Sequence, residues 1–202
     1  MASKHADKYP QSLLTQAIKL YGDRAGGKGT FGFAGFAWIQ DAKVVLIQGE
    51  AESLNTTADW RCFLRLTALA HRLKKPIVLW NLPAVHIATI QSRTSLDSAN
   101  VIQNAGLELL KLPHPIIAVF DSESDNGYTD LELAWSDGIV LVRPSDAQVS
   151  EHDNIKVVHQ ATDIAPAILE LISQVEEIPA TELVENRQET LRLAVRSGTE
   201  LS

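Results

Sequence analysis

Pro113 and Pro115 mark a point where any helix must stop, and Ile116-Ile117-Ala118-Val119-Phe120 follows as an unbroken apolar run rich in branched side chains. Proline has no amide to give a helix interior and disfavours the helical conformation in the residue before it, so this run reads as a strand. Apolar residues without polar alternation are buried on both faces, as in a parallel sheet covered by helices. The run ends in Asp121-Ser122-Glu123-Ser124-Asp125-Asn126-Gly127-Tyr128, an acidic, hydroxyl-rich turn. In open α/β sheets ligands sit beyond the carboxyl ends of the strands, where the amides that start the next helix are free. What occupies this turn therefore bears directly on function.

The rest of the chain supplies partners for that strand. Leu13, Leu14, Ala17, Ile18 and Tyr21 recur at spacings of three and four after Pro10, predicting an N-terminal helix within residues 1–22. Gly32 to Ile39 and Lys43 to Gln48 read as the strands of a hairpin with a polar tip. Asp59 is the expected cap of a helix from Trp60 to Leu73, and Pro76 to Trp80 is a second buried strand. A helix over Ser95 to Lys111 places Ala99, Ile102, Gly106 and Leu109 on one face. A short helical piece, Thr129 to Trp135, precedes the strand Gly138 to Val142. Beyond Pro144 the pattern weakens until Asp163, where Ile164, Ile168, Leu171, Ile172 and Val175 form a helical stripe. Thr181 caps a last charged helix running to Arg196, with Gly198 placed to end it. Strands alternating with helices imply right-handed parallel crossovers, hence a layered α/β fold. Residues 1–202 are expected to form one domain, with 163–202 as C-terminal helices.

Charge and composition exclude several classes. A net charge of -7 is the wrong sign for a general nucleic-acid binder, and Arg61, Arg65, Arg72, Lys74 and Lys75 make one locally basic, solvated helix face. No apolar run approaches the length of a bilayer span, and Met1 to Tyr9 carry no secretory pattern, so a cytoplasmic protein is expected. The single cysteine, Cys62, has no internal partner and reads as a small buried hydrophobe; Trp60, Trp80 and Trp135 read as core.

Gly27-Lys28-Gly29-Thr30-Phe31-Gly32 fits G-x-G-x-x-G but opens a hairpin, not a helix, so it reads as a connector rather than a dinucleotide loop. Asp121, Glu123, Asp125 and Asp130 lack the spacing and the final bidentate glutamate of a calcium loop. His71, His86, His114, His152 and His159 include no pair at ligand spacing, so no metal site is expected.

Tyr21-Gly22-Asp23-Arg24-Ala25, with the hairpin up to Val44-Val45-Leu46-Ile47, resembles the carboxyltransferase alpha subunit of bacterial acetyl-CoA carboxylase. Trp60-Arg61-Cys62-Phe63-Leu64-Arg65-Leu66 is similar to that family's first crossover helix, and Lys75-Pro76-Ile77-Val78 to the strand after it. Thr181-Glu182-Leu183-Val184-Glu185-Asn186-Arg187, with Leu191-Arg192 behind, is similar to its C-terminal helix. The matches lie in the family's order and cover most of the chain. The resemblance implies a crotonase-like layered fold of repeated ββα units. It also implies an oligomer in which the chain pairs with a beta-type carboxyltransferase subunit or with itself. Such a pair moves a carboxyl group from carboxybiotin, carried on a partner protein, to acetyl-CoA, giving malonyl-CoA for fatty acid biosynthesis. No cofactor is bound directly.

Catalysis in that family rests on glycine-rich turns after two strands, whose amides stabilise oxyanions; glycine lets the backbone approach the ligand with no side chain between. The chain departs from this pattern at both turns. The first reads Asn81-Leu82-Pro83-Ala84-Val85-His86 and keeps only the proline; the second is the acidic turn that ends in Gly127-Tyr128. Losing one oxyanion donor costs about 2.7 to 4 kcal/mol of transition-state stabilisation. The segment after Pro144 is also shorter than the family's. The catalytic candidates are the backbone of Asn126 and Gly127 and the side chain of His86, which could act as base to Ser122 or Ser124. Pro83, Ala84 and Ser124 are candidates for lining a substrate site.

Two readings of function follow. One is a divergent, non-catalytic subunit that keeps the fold and a pairing surface as scaffold or regulator. The other is an active acetyl-CoA half-site in which Asn126 and Gly127 replace the glycine pair. A malonyl-type acyl-CoA decarboxylase or hydrolase subunit is a third possibility, with no general base fixed by spacing.

Overall fold

The computed structural model describes residues 12–20, 22, 26–83, 96–121, 135–143 and 154–200. Its centre is a seven-stranded sheet in sequential order: β1 (Leu14–Lys19), β2 (Phe33–Ile39), β3 (Ala42–Gln48), β4 (Ile77–Trp80), β5 (Ile116–Phe120), β6 (Gly138–Val142) and β7 (Ile155–Val158). The pairs β1–β2 and β2–β3 are antiparallel, and every pair from β3 to β7 is parallel. Helices α1 (Thr57–Leu73), α2 (Leu96–Leu110), α3 (Ala161–Glu176) and α4 (Ala180–Glu200) complete the described elements.

Alternation along each strand divides the core. Val45, Ile47, Ile77, Leu79 and Ile116 face α1 and α2, packing with Phe63, Leu66, Ala105 and Leu109. Val44, Leu46, Val78, Trp80, Ile117, Val119 and Val140 face α3, packing with Ile164, Ile168, Leu171 and Val175. Every residue of β4 and β5 is buried, which is why both segments are apolar at each position. Fully burying one such side chain contributes about 1.5 to 3 kcal/mol, so these strands dominate the core. Trp60, Trp80, Trp135 and Cys62 are all buried within it.

Several expectations change. The segment predicted as an N-terminal helix is the edge strand β1, almost wholly exposed. With only Leu13 and Leu14 packed against the core's margin, helical spacing gains little, whereas the open edge of β2 offers backbone partners from Ile39 to Gly35. Gly35 permits this pairing, because a Cβ there would collide with the Ile18 carbonyl. Helix α1 is capped by Thr56, while Asp59 sits at the third helical position and closes a reciprocal capping box. On α2 the buried residues are Ala105, Leu109 and Leu110, Ile102 packs half-buried beside them, and Ala99 is exposed. Strand β7 went unread because its half-buried Ile155-Lys156-Val157 leaves only a weak apolar signal. Helix α3 begins at Ala161, ahead of Asp163, and α4 runs past Gly198. A glycine near a helix end costs only about 1 kcal/mol there. The expected piece over Thr129 to Trp135 lies outside the described residues except for Trp135.

At the amino ends of β5 and β6, α4 is fastened to the body. Arg187 is buried and its guanidinium grips Asp137 through Nε at 2.7 Å and Nη2 at 2.6 Å. It also donates to the carbonyls of Leu109 at 3.4 Å and His114 at 2.7 Å, and to that of Leu112. Asp137 additionally accepts the Ile116 amide at 2.7 Å.

His114 lies beside this clasp, its ring centroid 6.3 Å from that of His71. Its Nε2 is enclosed and has no hydrogen-bond partner among the described residues. Burial holds its pKa below the ordinary 6.5, helped by the charges of His71, Lys74 and Arg187 and opposed by Glu176. A histidine that protonates less readily when folded contributes its full stability above the unfolded value of 6.5 and loses it as pH falls toward the folded value. The urea midpoint of the parent chain is therefore expected to fall more between pH 7.5 and pH 5.5 than that of His114→Gln. Equal losses would show that His114 is not the group responsible.

Candidate functional site

Strands β3, β4, β5 and β6 end at one edge of the sheet, in register: Gln48 pairs with Trp80, Trp80 with Val119, and Phe120 with Leu141. Both turns singled out in the sequence therefore leave from neighbouring strands. The roots of the two turns are joined. Asn81, at φ 46°, adopts a left-handed conformation at the end of β4. From there its amide donates to the Val119 carbonyl at 3.0 Å, and its Oδ1 accepts the Asp121 amide at 2.8 Å. Asp121 is buried, as are Leu82 and Pro83.

Gly49 follows β3 and packs directly under the first turn. Its amide donates to the Trp80 carbonyl at 2.8 Å. A Cβ at this position would lie 2.7 Å from Leu82 Cα and 2.8 Å from Pro83 Cδ, so only glycine allows the turn to rest on the end of β3.

The start of α1 belongs to the same edge. Asp59 is buried, and its Oδ1 accepts the Thr30 amide at 2.6 Å and the Thr30 hydroxyl at 3.1 Å. Its Oδ2 accepts the Thr56 amide at 3.0 Å and the Thr56 hydroxyl at 2.7 Å. A carboxylate in the first turn of a helix is favoured by the helix dipole, and here it also pins the 26–32 loop to α1.

Of the candidate site residues, Pro83 is placed, buried at the root of the first turn; Ala84, His86, Ser122, Ser124, Asn126 and Gly127 lie outside the described residues. Among the described residues no group of three or more histidine, cysteine or acidic side chains is arranged to hold a metal ion. No helix among them is long and apolar enough to cross a membrane. Sequence reasoning missed the roles of Asn81 and Gly49. The available signals were Gly49 directly after Val44 to Gln48 and an asparagine, tolerant of the left-handed region, directly after a buried strand.

The sequence matches no protein-family model and no curated protein. Solved structures match in fold. Transcarboxylase 12S, crystallised with hydrolysed methylmalonyl-coenzyme A, is 11% identical with a TM-score of 0.51 over 82% of this chain and 33% of its own. The beta subunit of P. aeruginosa geranyl-CoA carboxylase is 12% identical, with a TM-score of 0.49 over 79% of this chain and 37% of its own. An enoyl-CoA hydratase/isomerase family protein from Pseudomonas syringae is 11% identical, with a TM-score of 0.48 over 79% of this chain and 95% of its own. The chain thus spans about a third of the length of the two carboxylase chains. At these identities the likeness is one of fold, and that fold is the crotonase-like layered α/β class.

Proposed function

We propose that this chain is an alpha-type carboxyltransferase subunit of a biotin-dependent acyl-CoA carboxylase-like complex, with weakened or absent catalysis and a scaffold or regulatory role. The observation that carries this reading is the state of the amides at the strand ends. Gly49 donates to Trp80, Asn81 to Val119, and Asp121 to the side chain of Asn81. An oxyanion hole needs donors aimed at the place where charge develops, and these three amides are already committed within the protein. None of these three amides is therefore available as an oxyanion donor to carboxybiotin or an enolate.

The alpha-type kinship rests on the order of matching segments from Tyr21 to Arg187, while the fold shared with transcarboxylase 12S supports a carboxyltransferase-like role in general. Under this reading the chain is cytoplasmic, works in an oligomer beside a beta-type subunit, and binds no cofactor of its own.

Co-expression with beta-type carboxyltransferase subunits, followed by an assay of malonyl-CoA decarboxylation with biocytin as carboxyl acceptor, tests the proposal. A stable complex whose turnover does not exceed that of the beta subunit alone is expected. Turnover above that level, abolished by Gly127→Asp, would establish the active half-site instead.

A further inference from the structure

Of the two edge strands of the sheet, β1 is the more exposed. Strand β7 is half-buried, and its Lys156 is tied to Glu170 at 2.7 Å. Every residue of β1 after Leu14 is exposed, and among the described strands only β2 pairs with it. The Leu20 amide donates to the Ala34 carbonyl at 2.8 Å. By alternation the backbone groups of Ile18 also face β2, and those of Ala17 point away from the sheet. Outward amides and carbonyls on an edge strand are a template for a further strand.

The side chains of β1 suit a second copy of the same strand. Ile18 is 53% exposed and shares a sheet face with Phe36, its partner on β2, and with Val45 on β3 beyond. Gln16 lies on that face beside the half-buried Trp38. Lys19 is the one charged residue of the strand, and its Nζ donates back to the Gly32 carbonyl at 2.7 Å, which draws the ammonium over its own chain rather than across the edge. A bulge between Leu14 and Gln16 interrupts the start of the strand, where the Thr15 hydroxyl donates to the Gln40 carbonyl at 3.0 Å. The regular edge therefore runs from Gln16 to Lys19, with Ala17 and Ile18 in its middle.

We propose that two copies of this chain associate edge to edge, β1 antiparallel to β1, with the twofold axis at Ala17. Only residues whose backbone faces outward can bond across the edge, so Ala17 exchanges two N–H···O bonds with Ala17 of the second copy. Gln16 then lies opposite Ile18, and Lys19 opposite Thr15, so no like charges meet. An axis at Lys19 would set two ammonium groups face to face, and an axis at Ile18 would run the pairing past the end of the strand at Lys19. The register at Ala17 overlaps the whole of β1 and lays each exposed Ile18 beside the Gln16 and Trp38 of the other copy. A strand of six residues buries less than the roughly 1,200 Å² of a stable interface, so the dimer is weak and transient. The inference does not depend on the carboxyltransferase reading.

Sedimentation equilibrium of the whole chain at submillimolar concentration tests the association, and a monomer–dimer equilibrium is expected. Ala17→Pro is expected to raise the dissociation constant at least about tenfold while leaving the urea midpoint near that of the parent, because proline removes an outward N–H that pairing within the sheet does not use. Cross-linking reads the register without a proline. Directly opposed residues at a non-hydrogen-bonded position lie about 4.5 Å apart at Cα and diagonal ones about 7 to 8 Å, whereas a disulfide spans roughly 4.4 to 6.8 Å. Gln16→Cys mixed with Ile18→Cys is therefore expected to form a disulfide-linked heterodimer at least about tenfold faster than either variant links to itself. Cys62 is buried and stays in place, with the parent chain as the control. A chain that remains monomeric, an association that Ala17→Pro leaves unchanged, or a single variant that cross-links as fast as the mixture would overturn the proposal.

Discussion

Arg187→Ala is expected to lower the unfolding free energy by about 3 to 5 kcal/mol, read as a fall in the urea midpoint at unchanged slope. Arg187 and Asp137 are only 1% and 4% exposed, so removing the guanidinium leaves a buried carboxylate without its partner. The change also strips the Leu109, Leu112 and His114 carbonyls of a donor. Asp137→Ala is expected to cost a similar amount, because it leaves the charge of Arg187 unpaired. Together, Arg187→Met and Asp137→Leu remove both charges, and the double variant is expected to recover much of the loss. It does not recover all of it, since three carbonyls remain without Arg187. Losses that simply add would show that the two side chains do not act as a pair.

The sign of the pH dependence follows from the carboxyl group. Burial pushes the Asp137 pKa above the ordinary carboxylate range, outweighing the opposite pull of Arg187 and of the Ile116 amide. A carboxyl that holds its proton more tightly when folded adds stability below the unfolded value and loses it as pH rises through the folded one. Removing Arg187 takes away the main opposing charge and raises the Asp137 pKa further. The deficit of Arg187→Ala is therefore expected to shrink as pH is lowered from 8 to 5. Ion pairing here specifies where α4 docks rather than supplying net stability, in keeping with the cost of desolvating two charges.

The parallel core was legible because burial on both faces leaves no polar position to confuse the pattern. Ile77 to Trp80, Ile116 to Phe120 and Gly138 to Val142 were each read within a residue of where they lie. The helix α3 was equally clear, since its stripe from Ile164 to Val175 faces a continuous sheet. The edges were not legible. The segments β1 and β7 take their conformation from the neighbour they pair with, and neither Leu13 to Tyr21 nor Ile155 to Val158 carries that neighbour in its own spacing. The clasp joins residues 50 positions apart, a separation for which charge pattern gives no register. At the candidate site the sequence exposed two turns without the glycine runs of the family it resembles. It did not reveal that Asn81 would spend its side chain on the amide of Asp121, because that bond depends on two strands lying side by side.

Asp59→Ala is expected to cost about 3 kcal/mol, and its effect should reach beyond helix α1. A net bond to a charged group contributes about 1.5 to 3 kcal/mol, and the four donors of Thr30 and Thr56 share this one carboxylate, so their contributions do not simply add. The Thr56 hydroxyl still caps the helix in the variant, which limits the loss within α1 itself. Thr30 has no such reserve for its amide, so the 26–32 loop is held to α1 less firmly and stays tied only to the 50–53 segment, where the Thr30 hydroxyl donates to the Glu52 carbonyl and the Ser53 hydroxyl to the Thr30 carbonyl. Asp59→Asn separates the two effects. One amide oxygen can keep accepting from Thr30, but the amide nitrogen then faces the Thr56 amide, donor against donor. The alanine variant is thus expected to speed labelling of Cys62, a buried thiol packed beside Gly29 of this loop, by a small methanethiosulfonate. The asparagine variant is expected to lose stability with less change in the labelling rate. If Asp59→Ala lowers the urea midpoint while leaving the labelling rate as it was, Asp59 holds only the helix, and the loop is anchored by its bonds to Glu52 and Ser53.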